Sequence, residues 1–304
     1  MRIVVSEDQV EGLIKGAFPD FKIESIKLEG VGWDNSAFAV NGDYIFRFPQ
    51  YEAVLEYVER EISLLPKLNE ILPVPVPNIE FVGEREAGGS CFQRFIGYKR
   101  LPGDRLDKKQ WARLDSKSKT LAAKEIAGVL DALHNFSTEA AIAMGIGREH
   151  HRKKANDFLA TAKKSVFPLL APSEQEGVER NIQAYLEDDS CLDYTPAVLH
   201  ADLSAEHVLW DETKGHLSGI LDWGDVVIGD PDFDLAGPYA VFGSDFIHRI
   251  LEFWPRKNLR ILFKKLNAFA VMGMINNLAN HPRKDEEAIR EEHLSQLRDT
   301  LRGL

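Results

Sequence analysis

The alternation of apolar and polar residues between positions 22 and 49 predicts three short β-strands. Segments 22–30 (KIESIKLEG), 36–42 (SAFAVNG) and 43–49 (DYIFRFP) all follow the two-residue period of a half-buried strand. A glycine-containing segment at 29–35 predicts a turn between the first two strands. The Asn-Gly pair at 41–42 predicts a hairpin turn to the third.

The hydrophobic period changes to that of a helix after position 52. Four apolar residues recur three or four positions apart on one helical face: Val54, Val58, Ile62 and Leu65. Three prolines between 73 and 77 then stop the helix and predict an extended link. Segments 79–83 and 90–98 predict two more strands. The first hundred residues are therefore expected to form a small antiparallel sheet that carries one helix.

A hydrophilic connector with Pro102 and Gly103 indicates a domain boundary, and helical patterns dominate after it. We expect an N-terminal domain at 1–97, a linker at 98–106 and a C-terminal domain at 107–304. An apolar stripe of helical spacing supports this, formed by Ile126, Val129, Leu130 and Leu133. Residues 149–187 predict a long helical region broken near Pro168 and Pro172. The fold class is α+β.

Composition excludes several classes of protein. The chain has 304 residues, a net charge of −11 and two cysteines, which are too few for a disulfide framework. A reduced, cytoplasmic location fits this cysteine usage, and the N-terminus lacks the pattern of a signal peptide. The chain has no uncharged apolar segment of membrane-spanning length. The acidic balance argues against nucleic acid. It is compatible with a cationic ligand, or serves solubility alone.

Polar residues that follow apolar runs are the candidates for chemistry: His200, Asp202, His207 and Asp222. The spacing lacks the His-x-x-x-His pattern of a helical zinc site, and no Gly-x-Ser-x-Gly elbow supplies a nucleophile. One carboxylate could orient a hydroxyl while a second carboxylate and a histidine hold a divalent ion. The alternative is that each residue only caps a turn.

Two motifs carry a resemblance to a known family. The segment HADLSAEH (200–207) resembles the catalytic loop His-x-Asp-x-x-x-x-Asn of aminoglycoside phosphotransferases, and ILDWGD (220–225) resembles their metal-binding segment. The 2''-aminoglycoside and macrolide branches are the most similar. The resemblance implies the two-lobed protein-kinase-like fold. In that fold, a small antiparallel-sheet N-lobe binds the nucleotide and a mainly helical C-lobe holds the catalytic loop and the acceptor site.

The resemblance also implies roles for the residues of these motifs. Asp202 would be the catalytic base, and His200 would buttress its loop. Asp222 would bind Mg²⁺, with His207 as the second ligand at the place of the family's asparagine. Asp230 would accept backbone N–H groups of the catalytic segment from behind.

The nucleotide, ATP or GTP, would be bound by the first domain. The residues implied are those of the glycine turn (Gly30, Gly32 and Ser36), the strand cation Arg47 with its helix partner Glu61, and the hinge residues Tyr98 and Arg100. Arginine stands where the family has a lysine, and it offers a bidentate grip on phosphate. Tyr98 could narrow an adenine pocket and favour guanine, or could simply be a core tyrosine.

The acceptor implied by the resemblance is an antibiotic hydroxyl. Acidic candidates for its site are Asp225, Asp232, Asp234 and Asp245, and Tyr239 is a further contact. The acidic balance favours an aminoglycoside. The apolar segment 235–243 instead favours a macrolide. A housekeeping small-molecule kinase and a non-catalytic nucleotide-binding protein stay open, because fold does not determine function. The sequence does not specify an oligomeric state.

Overall fold

A five-stranded antiparallel sheet forms the first part of the chain, as the hydrophobic alternation predicts. The computed structural model describes residues 5–86, 92–280 and 287–303. The sheet has the order β1-β2-β3-β5-β4. Its strands are β1 (Ile26–Val31), β2 (Asn35–Val40), β3 (Tyr44–Pro49), β4 (Ile79–Glu86) and β5 (Phe92–Lys99). The expected fifth strand began at position 90, and positions 90 and 91 lie outside the described residues.

The Asn-Gly hairpin between β2 and β3 forms because both residues take left-handed backbone conformations. Asn41 has a φ of 56° and Gly42 a φ of 77°, which matches the preference of such turns. The Asn41 side chain also accepts an N–H bond from Glu24 and donates to the carbonyl of Lys22. These bonds hold segment 22–25 outside the ladder, which explains why β1 begins at Ile26 rather than at position 22.

The two faces of this sheet have different environments. Phe46 and Phe48 lie fully buried on one face, in a core covered by Val10 and Ile14 of helix α1 (Glu7–Ala17). Because side chains alternate along a strand, Arg47 lies on the opposite face, as predicted. The predicted helix begins with a 3₁₀ turn (Glu52–Val54) and continues as α2 (Leu55–Ile71), with Pro66 inside it.

Short strands from the middle of the chain complete the β-structure. A three-stranded antiparallel sheet joins β6 (Asp104–Arg105), β8 (Val208–Asp211) and β9 (His216–Ile220). An antiparallel pair joins β7 (Ala197–Leu199) and β10 (Val227–Gly229). The backbone N–H of Ile220 donates to the carbonyl of Pro75, which ties β9 to the extended link after α2.

Helices dominate the rest of the chain. They are α3 (Lys108–Arg113), α4 (Ser116–His134), α5 (Thr138–Ala143), α6 (His151–Thr161), α7 (Pro172–Leu186), α8 (Asp189–Leu192), α9 (Ala236–Leu251), α10 (Leu259–Asn280) and α11 (Glu287–Gly303). The expected break after α6 occurs as a π-turn and a 3₁₀ turn that end at Leu169, before Pro172 begins α7. The four residues of the predicted α4 stripe are all buried.

The described chain divides into two compact units. The first unit contains the described residues up to Leu106 together with Ala140–Ile146 and Glu206–Asp225. The second unit contains Asp107–Glu139, Gly147–Ala205 and the described residues from Val226 onward. The boundaries expected from the sequence, at 97 and 107, remain a proposal about folding domains. Among the described helices, none is long and apolar enough to span a membrane.

One glycine permits close packing inside the second unit. Gly237, in the first turn of α9, lies against the backbone carbonyl of Leu203, and a Cβ at this position would overlap that oxygen. Gly237→Ala should therefore lower the melting temperature, because backbone cannot move aside as a flexible side chain can. The matched control is Gly273→Ala in α10, where a Cβ would meet nothing within 4 Å. This change should stabilise the protein by about 0.5–1 kcal/mol. Equal melting shifts would contradict the prediction.

Candidate active site

The predicted catalytic residues follow strand β7 in the second unit. His200 is buried, while Asp202, two residues later, is exposed. Ala201 between them has a φ of 65°, a left-handed conformation that costs energy for a residue with a Cβ. The backbone N–H of Asp202 donates to Nδ1 of His200 at 3.3 Å, so His200 contacts the loop that it was expected to buttress.

Asp234 stabilises this strained turn from behind. Its Oδ1 accepts the N–H of Ala201 at 2.8 Å, and its Oδ2 accepts the N–H of His200 at 3.1 Å. The side chain of Asp234 is fully buried and also contacts Nε2 of His134 at 2.9 Å. Charge-assisted hydrogen bonds of this kind are stronger than neutral ones, so they can offset the strain at Ala201.

The expectation that Asp230 makes these bonds is therefore wrong. Asp230 begins a 3₁₀ turn (Pro231–Leu235), and its Oδ1 accepts the N–H of Asp232 within that turn. Its carboxylate lies 2.8 Å from the ammonium of Lys265 in α10. Burial raises the pKa of Asp230 to about 6, and Lys265 opposes this shift. Because the buried lysine requires a carboxylate partner, Asp230 is held there and Asp234 reaches the catalytic loop.

In the first unit, the strand cation forms the ion pair that the sequence predicts. Nη1 of Arg47 in β3 lies 2.7 Å from Oε1 of Glu61 in α2, and Nη2 lies 3.0 Å from Oδ1 of Asp222. The side chains of Arg47 and Glu61 are only 11% and 2% exposed. The backbone N–H of Trp223 donates to Glu61 as well. Helix α2, strand β3 and the segment after β9 thus meet at one guanidinium.

Burial controls the protonation of the groups around Arg47. Burial raises the pKa of the Glu61 carboxyl, an effect that Arg47 opposes. It raises the pKa of Tyr98 to about 12, again against the influence of Arg47, so this phenol is neutral at physiological pH. Tyr98 packs with Ala39 and Ile45 on the same face of the sheet. Tyr98 is therefore a buried tyrosine beside Arg47, as expected for a core residue.

The two predicted metal ligands lie close together. Nε2 of His207 is 3.6 Å from Oδ2 of Asp222. Ligands of one divalent ion, each about 2.1 Å from it, can be this far apart, so the two residues fit such an ion. Asp222 has a φ of 63° and a half-exposed side chain. Within the described ranges no group of three or more His, Cys, Asp or Glu could hold a metal.

The glycine turn is shorter than expected and has its own contacts. Because β1 extends to Val31, the turn is confined to residues 32–34. Gly32 accepts a bond from the Gln50 side chain through its carbonyl. Ser36 is buried within β2, whereas Gly30 is exposed in β1. Asp34 is partly buried, and burial together with Asp225 and Asp222 raises its pKa.

The acceptor candidates have unequal surroundings. Asp225 and Asp245 are exposed, whereas both oxygens of Asp232 are engaged, by Arg256 at 2.9 Å and by Lys265 at 2.9 Å. This ion cluster weakens the prediction that Asp232 contacts an acceptor. The hydroxyl of Tyr239 donates to Asn267 at 2.6 Å. Asp234 was also a candidate for the acceptor site, but its carboxylate accepts the backbone N–H groups of His200 and Ala201.

Several residues of the site were missed by sequence reasoning. Lys265 lies three positions after Leu262 and four before Phe269, on one face of α10. This position could have indicated a buried carboxylate partner, because lone buried charges are avoided. The sequence does not show which of Asp230, Asp232 and Asp234 pairs with Lys265. The three acids are spaced two positions apart, and their pattern does not distinguish them. His134 ends α4 in the sequence like an ordinary helix C-terminal residue.

The chain is similar to proteins of a known family. A family model described as the phosphotransferase enzyme family matches residues 25–259. Viomycin phosphotransferase of Streptomyces vinaceus is 32% identical over 131 residues, which cover 42% of this chain and 44% of that protein. The match thus spans less than half the length of that relative.

Solved structures match over nearly the whole chain. The GDP and kanamycin complex of APH(2")-IIia has a TM-score of 0.89 and 29% identity, covering 96% of this chain and 97% of that one. Macrolide 2'-phosphotransferase type I has a TM-score of 0.74 at 22% identity, covering 98% and 99%, which shows the shared fold alone. These neighbours establish the kinase-like fold with its antiparallel sheet and helical remainder. The chain belongs to the phosphotransferase enzyme family.

Proposed function

We propose that this protein transfers the γ-phosphate of a purine nucleoside triphosphate to a hydroxyl of an aminoglycoside antibiotic. The observation that carries the proposal is the arrangement at Arg47. A strand cation, a buried helix carboxylate and a half-exposed aspartate meet there within 3.0 Å. Phosphoryl transfer depends on such positioned charges more than on covalent chemistry by the protein.

In this proposal Asp202 and Arg47 have different roles. Asp202 accepts the proton of the acceptor hydroxyl as the hydroxyl oxygen attacks, and the strained turn at Ala201 orients it. Arg47 binds phosphate oxygens through its planar fork, while Glu61 keeps the guanidinium in place. Arg47 already donates to one oxygen of Asp222, so it also orients that carboxylate.

His207 and Asp222 would hold Mg²⁺. A bound magnesium ion neutralises charge on the phosphate oxygens during transfer. Magnesium prefers oxygen to nitrogen ligands, so Asp222 is expected to be the stronger of the two. The Leu221 N–H donates to the carbonyl of His207 at 2.8 Å, which joins His207 to the segment that carries Asp222.

The acceptor class rests on similarity and charge. The structural relative with 29% identity is described with kanamycin and GDP, and an exposed acid such as Asp245 suits a polycationic acceptor. Viomycin is the second candidate, because the viomycin phosphotransferase of Streptomyces vinaceus is 32% identical over 131 residues. The nucleotide could be ATP or GTP, since the structural relatives include GDP and ADP complexes.

A direct assay tests this function. Purified protein should release nucleoside diphosphate with ATP or GTP only when an aminoglycoside such as kanamycin is present. Omission of magnesium should abolish transfer, and His207→Ala should raise the magnesium concentration required. Viomycin, a macrolide and a non-antibiotic hydroxyl compound are the comparison acceptors. Transfer to viomycin alone would show that viomycin, and not an aminoglycoside, is the acceptor. Nucleotide binding without transfer to any acceptor would contradict the proposal.

Removal of the proposed base should affect chemistry and leave nucleotide binding intact. Asp202→Asn should lower kcat by roughly 10²–10⁴, because the amide cannot accept the hydroxyl proton. The dissociation constant of the nucleotide should stay near the wild-type value. The matched control is Glu206→Gln, since Glu206 is a mostly exposed acid of the same loop. A near-normal kcat for Asp202→Asn would remove Asp202 from this role.

Loss of the strand cation should weaken nucleotide binding. Arg47→Ala should cost about 1.5–3 kcal/mol in nucleotide affinity, the scale of a hydrogen bond to a charged group. It should also lower the melting temperature, because the buried Glu61 loses its partner. Arg47→Lys keeps a charge and should weaken binding less, which separates binding from folding.

Calorimetric titration of the nucleotide measures both variants. Arg94→Ala is the control, because Arg94 forms an exposed ion pair with Glu59 elsewhere in the same unit. Unchanged affinity in Arg47→Ala and Arg47→Lys would show that another group binds the phosphates.

A further inference from the structure

An ion pair crosses one face of the five-stranded sheet. Glu29 in β1 and Arg100, directly after β5, are joined by two hydrogen bonds of 3.0 and 2.6 Å. Strands β2 and β3 lie between β1 and β5. At the usual strand spacing the two backbones are about 14 Å apart. The two long side chains therefore meet above the intervening strands, and we call this pair the clasp.

The clasp lies on the face that carries Tyr98 and Arg47. The N–H of Arg100 donates to the carbonyl of Asp43 at 2.8 Å, which continues the ladder between β3 and β5. Side chains alternate along a strand, so Arg100 shares the face of Tyr98. Below the clasp, Tyr98 pairs with Ile45 and Ile45 pairs with Ala39 across the strands. We call these three residues the apolar strip.

A β-bulge brings Glu29 into the clasp. The register between β1 and β2 pairs Leu28 with Phe38 and Gly30 with Ala37, so Glu29 is the extra residue between them. Bulges redirect a side chain away from its regular alternation. Arg100 holds the pKa of Glu29 below its usual range, so the pair is charged at neutral pH.

The dimensions of this face match a nucleoside triphosphate. Arg47 follows Ile45 by two residues in β3, a separation of about 6.8 Å along the strand. A flat purine ring suits the apolar strip, where Ala39 leaves room, and phosphates suit Arg47. The Arg100 end of the clasp, next to Tyr98, would then lie on the nucleoside side of the ligand. Ala39 and Ile45 are only 6% and 9% exposed, so a ligand reaches them only if their cover moves.

The clasp can move because water reaches it. Its side chains are 39% and 41% exposed, and exposed ion pairs contribute little free energy and weaken in salt. By contrast, the Arg47–Glu61 pair on the same face is buried, and breaking it would leave an uncompensated buried charge. One face of the sheet thus has a buried ion pair at Arg47 and an exposed pair that includes Arg100.

We propose that Glu29 and Arg100 form a clasp that closes over the nucleoside part of the co-substrate, so that its opening limits nucleotide release. The proposal rests on the proposed function, since it takes this face as the nucleotide site. Both are positioning residues, because neither contacts the reacting phosphoryl group in this scheme.

Stopped-flow release of fluorescent methylanthraniloyl-GDP and methylanthraniloyl-ADP tests the clasp. Arg100→Gln and Glu29→Gln should each speed release about threefold, in line with the small energies of exposed pairs. The KM for the nucleotide should rise while kcat does not fall. High salt should speed release from the wild type and have less effect on the variants. The double variant Glu29→Arg with Arg100→Glu should restore slow release.

A matched control is available in the same unit. Arg94 and Glu59 form a pair of similar exposure, with side chains 41% and 49% exposed and 2.9 Å apart. Arg94→Gln should leave release unchanged. Wild-type release rates in both clasp variants, or an equal change in the control, would overturn the clasp while nucleotide binding and the proposed function remain. Failure of the wild-type protein to bind either nucleotide would overturn both.

Discussion

The requirement that every buried charge has a partner organises the first unit around Arg47. A guanidinium only 11% exposed cannot persist in a sheet without carboxylates beside it. Glu61 and Asp222 meet this requirement, and they come from a helix and from a segment more than 150 residues later in the chain. Pairing at one cation therefore fixes the positions of three elements relative to each other. It also leaves the partly exposed Asp222 with an oxygen directed toward His207.

The same requirement acts in the second unit with a different result. Lys265 lies at a buried position of α10 and takes Asp230 and Asp232 as partners. Asp234, the remaining acid of this turn, is then available for the backbone of His200 and Ala201. The strain stored at Ala201 persists because those two bonds and the contact with His134 over-determine the turn. The pairing at Lys265 thus decides which aspartate supports the turn at His200 and Ala201.

The sequence predicts many elements of this fold, since their signals are local, but it expected one helix in the first hundred residues where the structure has both α1 and α2. The strands around Phe46 and the stripe that ends at Leu133 follow from hydrophobic period. The pairing of Arg47 with Glu61 could also be predicted, because strand alternation and helix facing leave these two charges on facing surfaces. The choice between Asp230 and Asp234 could not, since it depends on Lys265, more than 30 residues away. The bulge at Glu29 has no local signal either, because it arises from the register between two strands.

Net charge is a poor guide to the acceptor site for the same reason. Two of the four aspartates that were candidates for a cationic acceptor have internal partners. Asp232 pairs with Arg256 and Lys265, and Asp234 accepts backbone N–H groups. An acid paired with lysine or arginine contributes little field to an incoming cation, because the two charges cancel at distances larger than their separation. An exposed acid such as Asp245 keeps that field. Acceptor selectivity therefore depends on which carboxylates the interior leaves unneutralised, a property of the folded chain that a count of acidic residues does not measure.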